Sequence, residues 1–338
     1  MIDYKIIKVH LKETFRTSHG AADEKELAIA EIGGGLGEAS PVSYYGESVE
    51  TIKSFISKAT AAIGDDLFRL EDINERLRKV AANNGAAKAA IDIAIHDAIG
   101  KKLNIPVYKL LGITPRDDIA TSYTISINTP ENMKKQTEAN PGYKVYKVKV
   151  GVPGDIDMVA AVRSATDARI RVDANAGWTL KEALQKIKQL EKYEIEFIEQ
   201  PLHWKDYEGF KILRSKVDLP IIADEGVMTA EDIPIYAGIV DGINIKLQKS
   251  GGIREAFKMI AVARAHKLKI MIGCMVETSV GISAAAQLAP LVDYVDLDGN
   301  ILINDDPYDG VRAVGGFLKY PDRPGIGVVD LSAKAERG

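Results

Sequence analysis

The chain has 338 residues, 46% hydrophobic and 27% charged, with 44 Lys+Arg against 48 Asp+Glu and a formal net charge of −4. That is apolar material for about two domains, or one barrel with additions, and the charge balance excludes a phosphate-tracking nucleic-acid binder and a polybasic membrane-surface protein. No apolar run approaches the ~20 residues of a bilayer-spanning helix, the alternating N-terminus does not read as a signal peptide, and the single cysteine, Cys274, cannot form an intrachain disulfide, so a cytoplasmic protein is expected.

Residues 2–11 and 26–32 read as strands, followed by a turn-rich segment, Gly33–Pro41. Helical periodicity then covers Val49–Ile63, Asp72–Val80 and Ala86–Leu103. From about residue 118 short apolar runs alternate with amphipathic stretches. Eight runs are strand candidates: Ala120–Ile127, Lys144–Val150, Ile170–Val172, Glu196–Ile198, Pro220–Ala223, Gly242–Leu247, Lys269–Met275 and Tyr294–Leu297. Helical patterns between them include Asp155–Ala165, Thr179–Lys192, Trp204–Ser215, Ala230–Ala237, Ile253–His266 and Ser279–Ala289. Eight alternating units predict a β/α barrel, with a doubly wound open sheet as the rival. No glycine-rich phosphate-binding motif follows a strand, which removes the usual reason for the open sheet. The tail, residues 306–338, carries turn signals and is expected to return to the N-terminal block.

The chemistry collects at the strand ends. Lys147 and Lys149 close the second run, Asp173 follows the third, Glu199 the fourth, Asp224 with Glu225 the fifth, and Lys246 closes the sixth. The steps from Lys149 to Asp173, Glu199, Asp224 and Lys246 are 24, 26, 25 and 22 residues, each about one βα unit. On a parallel barrel such steps bring all of them to the C-terminal mouth, where barrel active sites sit. Asp173, Glu199 and Asp224 form an all-oxygen set that suits Mg²⁺, with Mn²⁺ also possible. Three adjacent carboxylates without a cation would repel one another. Lys149 and Lys246 flank the set, and a metal ion, Lys147 and burial would all favour a neutral amine. Such an amine can remove a proton from a carbon beside a carboxylate.

This motif set resembles the enolase superfamily, in its muconate-lactonizing-enzyme-like subgroup. The matching residues are Lys147-Val-Lys149, Asp173-Ala-Asn175, Glu199-Gln-Pro201, Asp224-Glu225, and Lys246 followed by Lys249-Ser-Gly-Gly252. The resemblance implies an α/β fold: a modified TIM barrel, (β/α)7β, at 118–305, an α+β N-terminal capping domain at 1–117, and a segment at 306–338 returning to the cap. It also implies Mg²⁺ on Asp173, Glu199 and Asp224, and Lys149 and Lys246 as acid/base catalysts on opposite faces of the substrate. In that pattern Lys147 supports Lys149, Asn175 shapes the polar turn near the ion, and Glu225 partners Lys246.

The eighth run points to the substrate. Asp296 and Asp298 share one strand face at period two. Free carboxylates in a pocket that also takes an anionic group suit a cation, and an α-ammonium is the natural one. A dipeptide then fits, with the reacting α-carbon between the two lysines. Asp296-Leu-Asp298 and Gly273–Gly281 resemble the dipeptide epimerases. Selectivity is expected from cap loops at Phe15–Asp23 and Val42–Glu47, with Tyr44 and Tyr45, and from Cys274 and Met275 beside strand seven. Glu-selective members carry an arginine where Gly20 aligns here. Arg16 or His19 are the substitutes at hand, so the second residue is open between Glu and a small or hydrophobic one. A homo-oligomer is expected. The alternatives are an N-acylamino acid racemase, o-succinylbenzoate synthase or cycloisomerase on the same lysine pair, and a non-catalytic dipeptide binder.

Overall fold

The computed structural model describes residues 2–332. The N-terminal part opens with a three-stranded antiparallel sheet: β1 (Asp3–Thr17), β2 (Gly20–Ile32) and β3 (Gly35–Ala39). The segment expected to be a cap loop, Phe15–Asp23, is the tip of the β1–β2 hairpin, with Thr17 paired to Gly20. A register shift between His10 and Phe15 bends this hairpin. Strand β3 lies in the segment read as turn. Gly33 and Gly34, at φ 56° and 80°, make the turn, but Gly35 and Gly37 serve packing. A Cβ at Gly37 would stand 1.9 Å from the Ala90 carbonyl, and one at Gly35 2.1 Å from that of Ala94. Glycine there is the condition for a helix lying directly on the strand.

That helix is α3 (Gly85–Leu103), preceded by α1 (Val49–Ile63) and α2 (Leu70–Val80). Ser48 and Thr51 form a reciprocal cap on α1. Helix α3 is buried almost all round, because it fills the space between the sheet and the second half of the chain. A one-turn helix, α4 (Val107–Leu110), follows.

The second half is an eight-stranded parallel sheet in sequence order: β4 (Tyr123–Ile125), β5 (Val145–Lys149), β6 (Arg169–Asp173), β7 (Ile195–Glu199), β8 (Ile221–Ala223), β9 (Gly242–Lys246), β10 (Lys269–Gly273) and β11 (Tyr294–Asp296). Its edges meet where the Ser122 N–H donates to the Val295 carbonyl. The crossover helices are α5 (Pro130–Ala139), α6 (Asp155–Ala165), α7 (Leu180–Leu190), α8 (Tyr207–Arg214), α9 (Ile233–Tyr236), α10 (Leu247–Ser250) with α11 (Ile253–Ala265), and α12 (Ser279–Ala286). Seven crossovers and a closing strand make the (β/α)7β barrel. Helix α5 buries only Met133 and Thr137, too little apolar periodicity to announce itself, although Thr129 caps it and Pro130 opens it. The stretch 230–237 forms a single turn at Ile233–Tyr236.

Strand alternation sorts the barrel's side chains. Ile170 and Val172 of β6 join the outer core beneath the helices, while Arg171 and Asp173 point the other way. Phe197, Ile222 and Met271 form a separate small cluster with Tyr294, and the Arg171 guanidinium lies 5.2 Å from the Phe197 and Tyr294 rings. This layer plugs the barrel below the ionic residues. The tail adds two hairpin-like pairs, β12 (Tyr308–Asp309) with β15 (Val329–Asp330), and β13 (Arg312–Val314) with β14 (Phe317–Lys319). It packs back on the cap, with the Ile326 N–H on Asp97 of α3 and Lys5 of β1 at 3.2 Å from Asp330. Residues 333–338 lie outside the described part. Among the described residues no helix is long and apolar enough to cross a membrane.

Candidate active site

Strand register levels the site. Lys149, Asp173 and Glu199 are successive register partners across β5, β6 and β7. Lys246, Gly273 and Asp296 are partners across β9, β10 and β11. Asp224 and Glu225 follow β8 directly. All these side chains therefore emerge at one end of the barrel.

There the charges interlock. Lys147 Nζ lies 3.0 Å from Asp173, 2.8 Å from Glu199 and 2.7 Å from Asp296. Lys149 Nζ donates to Asp173 at 2.7 Å and to Asn175 at 3.1 Å. Lys246 Nζ donates to Asp224 at 2.7 Å. Lys249, which the sequence offers only as part of a motif, joins the site. It is wholly buried and donates to the other Asp224 oxygen at 2.5 Å. Lys147 and Lys149 thus share one Asp173 oxygen. Glu225 accepts from Asn175 at 3.2 Å and approaches His19 at 3.4 Å. The Lys246 ammonium goes to Asp224, and its expected partner Glu225 acts on it through charge.

Burial and neighbouring charge compete here. Burial pushes the Asp173 carboxyl up, but Lys149 and then Lys147 outweigh it and hold it down at about 2. Asp224 is held low against burial by Lys246 and Lys249. Glu199 goes the other way: burial and Asp173 raise it to about 7. The neutral-amine expectation for Lys246 meets an opposing force. Burial is the largest influence and lowers its pKa, but Asp224 with Glu199 and Glu225 together overcome it and lift the amine above the ordinary range.

Among the described residues no group of three or more His, Cys, Asp or Glu side chains is gathered as a metal would gather them. Asp173 and Glu199 are joined through Lys147, and Asp224 is held by Lys246 and Lys249. The donor set nonetheless fits a hard divalent cation. All its donors are oxygens, all three groups are buried, and Glu199 Oε2 has no properly aligned hydrogen bond although Lys147 stands 2.8 Å away.

Asp296 and Asp298 are not equivalent. Asp296 is taken up by Lys147 and by the Ser122 hydroxyl. Asp298 accepts the Thr124 N–H at 2.6 Å on one oxygen, while among the described residues the other has only the Cys274 thiol at 3.9 Å. Burial, then Asp296, raises Asp298 to about 7. Of the two carboxylates expected to be free, Asp298 is the one with capacity left.

The hairpin tip and the short helical turn Ser43–Tyr45 roof the mouth. The Ser18 hydroxyl donates to the Asn175 carbonyl at 2.7 Å. His19, Tyr44 and Trp204 pack with ring centroids 4.3 and 5.0 Å apart along that line. Beneath them lies a cavity of about 530 Å³. Lys147, Lys149, Lys246, Asn175, Asp224, Glu225, Asp296 and Asp298 line it, with His19, Tyr44, Tyr45, Cys274 and Met275. Asp173 and Glu199 are fully buried behind that wall. Arg16 does not reach the cavity. Its neighbours Phe15 and Thr17 do, and strand alternation turns Arg16 outward to solvent. Lys25 lines the cavity too and was not anticipated.

Comparison with known proteins places this geometry. Residues 1–112 match the mandelate racemase / muconate lactonizing enzyme N-terminal domain, and residues 132–331 the enolase C-terminal domain-like family. The chain belongs to the mandelate racemase/muconate lactonizing enzyme family of the enolase superfamily. An L-Ala-D/L-Glu epimerase of Bacteroides thetaiotaomicron is 42% identical over 88% of this chain and 78% of its own. A hydrophobic dipeptide epimerase of Enterococcus faecalis is 39% identical over 95% of this chain and 96% of its own. The crystal structure of the dipeptide epimerase from Enterococcus faecalis, complexed with Mg and L-Leu-L-Tyr, superposes with a TM-score of 0.92 at 36% identity. It covers 97% of this chain and 98% of that one. This member of the family thus has epimerases of differing substrate as similar relatives.

Proposed function

We propose that this protein, an isomerase of the epimerase class, inverts the α-carbon of the C-terminal residue of an L-Ala-Xaa dipeptide. The observation that carries the reading is the arrangement of Lys149 and Lys246. They stand on β5 and β9 of one mouth, on either side of Asp173, Glu199 and Asp224, and both line the cavity under the cap. In the forward direction one lysine, as free amine, accepts the α-proton. The electron pair left on carbon moves into the substrate carboxylate, and the other lysine, as ammonium, returns a proton to the opposite face. Following the family resemblance, Lys149 serves the S face and Lys246 the R face. Mg²⁺ or Mn²⁺, held by Asp173, Glu199 and Asp224, would neutralise the carboxylate's growing charge and free the lysines from their present counter-ions. Lys147 helps to keep Asp173 ionised, and Lys249 helps to keep Asp224 so. Asp298 takes the substrate ammonium.

A second reading rests on Asp296. Its engagement by Lys147 leaves one carboxylate for an ammonium, and an N-acylamino acid racemase needs none. One experiment tests both. L-Ala-L-Glu, L-Ala-L-Leu and their N-acetyl-amino acid counterparts are incubated with protein and Mg²⁺ in D₂O and read by mass spectrometry. Deuterium at the α-carbon of the dipeptides supports epimerisation. Label only in the N-acyl compounds supports the second reading, and no label in either contradicts both.

A further inference from the structure

Four lysines line the cavity, and three are paired. Lys147, Lys149 and Lys246 each have a carboxylate within 3.0 Å. Lys25, on β2, is different. The acceptor of its ammonium among the described residues is the Pro41 carbonyl. Glu277 and Glu47 act on it only as more distant charges, and burial pushes its pKa below the ordinary value. An ammonium held in a cavity wall on one neutral acceptor has donors to spare, and leaving them unsatisfied is costly. The wall beside it carries Gly20, Ala21 and Ala22, and a Cβ on Gly20 would meet nothing within 4 Å. Among the described residues no arginine lines the cavity.

The other cavity lysines and Asp298 already have a role. Under the epimerase reading, the substrate carboxylate goes to the lysine and carboxylate floor of the barrel and the ammonium goes to Asp298. Lys25 sits on the cap wall instead and belongs to neither end. We propose that Lys25 reads the side chain of the inverted residue and selects an anionic one of glutamate type. The inference rests on the epimerase reading, and it moves the choice left open by Gly20 toward an acidic second residue. A charge-assisted hydrogen bond of this kind separates an acid from its isosteric amide by about 10- to 100-fold.

The test compares kcat/KM for L-Ala-L-Glu, L-Ala-L-Gln and L-Ala-L-Lys in the wild type and in Lys25→Met, Lys25→Arg and Lys25→Glu. The wild type is expected to favour Glu over Gln at least about 10-fold. Lys25→Met should shrink that ratio at least about 10-fold, Lys25→Arg should keep it, and Lys25→Glu should favour L-Ala-L-Lys over L-Ala-L-Glu. The Arg and Glu variants decide the matter if the Met variant fails to fold. A wild type indifferent to side-chain charge, or a Glu/Gln ratio unmoved by Lys25→Met, overturns the role of Lys25 while leaving epimerisation intact. Failure of the wild type to label or invert any dipeptide overturns the epimerase reading, and this inference with it.

Discussion

Replacing Asp298 by Asn isolates the carboxylate assigned to the substrate ammonium. Asp298 is 3% exposed, and its Oδ2 holds the Thr124 N–H at 2.6 Å. An asparagine oxygen can keep that bond, so the barrel seam should survive. What is lost is the charge facing the cavity. Two unit charges about 3 Å apart at an effective dielectric near 20 attract by about 5 kcal/mol. Desolvation of the ammonium and the hydrogen-bonding capacity of the amide offset part of this, leaving about 2–4 kcal/mol. That corresponds to a fall of about 30- to 700-fold in kcat/KM for a dipeptide. The assay is initial-rate epimerisation of L-Ala-L-Glu beside N-acetyl-L-Glu, which has no ammonium. The ratio between them should fall by the same factor. Equal losses on both substrates would show that Asp298 acts on the fold or the floor of the site, and would refute the assignment.

Other consequences follow from the same contacts. Glu199→Gln should raise the Mg²⁺ concentration needed for half-maximal activity by at least about 10-fold, because it removes charge from the metal set; titration of chelator-treated protein measures it. Glu38 and Glu277 are fully buried where β3 meets the end of β10, and burial raises them to about 8 and about 7. Folded-state values above the unfolded ones mean that the native state holds protons the unfolded chain releases. Wild-type stability should therefore decline as pH rises from about 4.5 toward 8. Glu277→Gln should gain thermal stability relative to wild type between pH 5 and pH 8.5, and parallel melting curves would count against this. Gly37→Ala, whose Cβ would stand 1.9 Å from the Ala90 carbonyl, should cost at least about 2–3 kcal/mol in denaturant titration.

The ladder of strand-end residues was legible because barrel strands recur at nearly constant intervals. A carboxylate or lysine at each step needs only that rhythm to be placed. What escaped the sequence depends on packing between distant segments. Strand β3 hid in Gly33–Pro41, since glycine that permits a helix to lie on a strand looks the same as glycine that makes a turn. Arg16 seemed available to the site until strand pairing fixed its direction. The cap itself reads as strands and helices, but nothing local says that the hairpin tip reaches Asn175 or that Lys25 faces the cavity. The pairing of Asp296 with Lys147 is likewise a contact across the barrel, 149 positions apart. Alternation put Asp296 and Asp298 on one face and could not say which was already engaged.

Two variants test the two-lysine assignment most directly. Lys149→Ala and Lys246→Ala are each incubated with both epimers of the dipeptide and Mg²⁺ in D₂O. Inversion should be lost in both. Lys149→Ala should still exchange the α-proton of the D epimer, and Lys246→Ala that of the L epimer, because each retains the base for one face. Either variant inverting at the wild-type rate, or exchanging both epimers alike, would contradict the assignment.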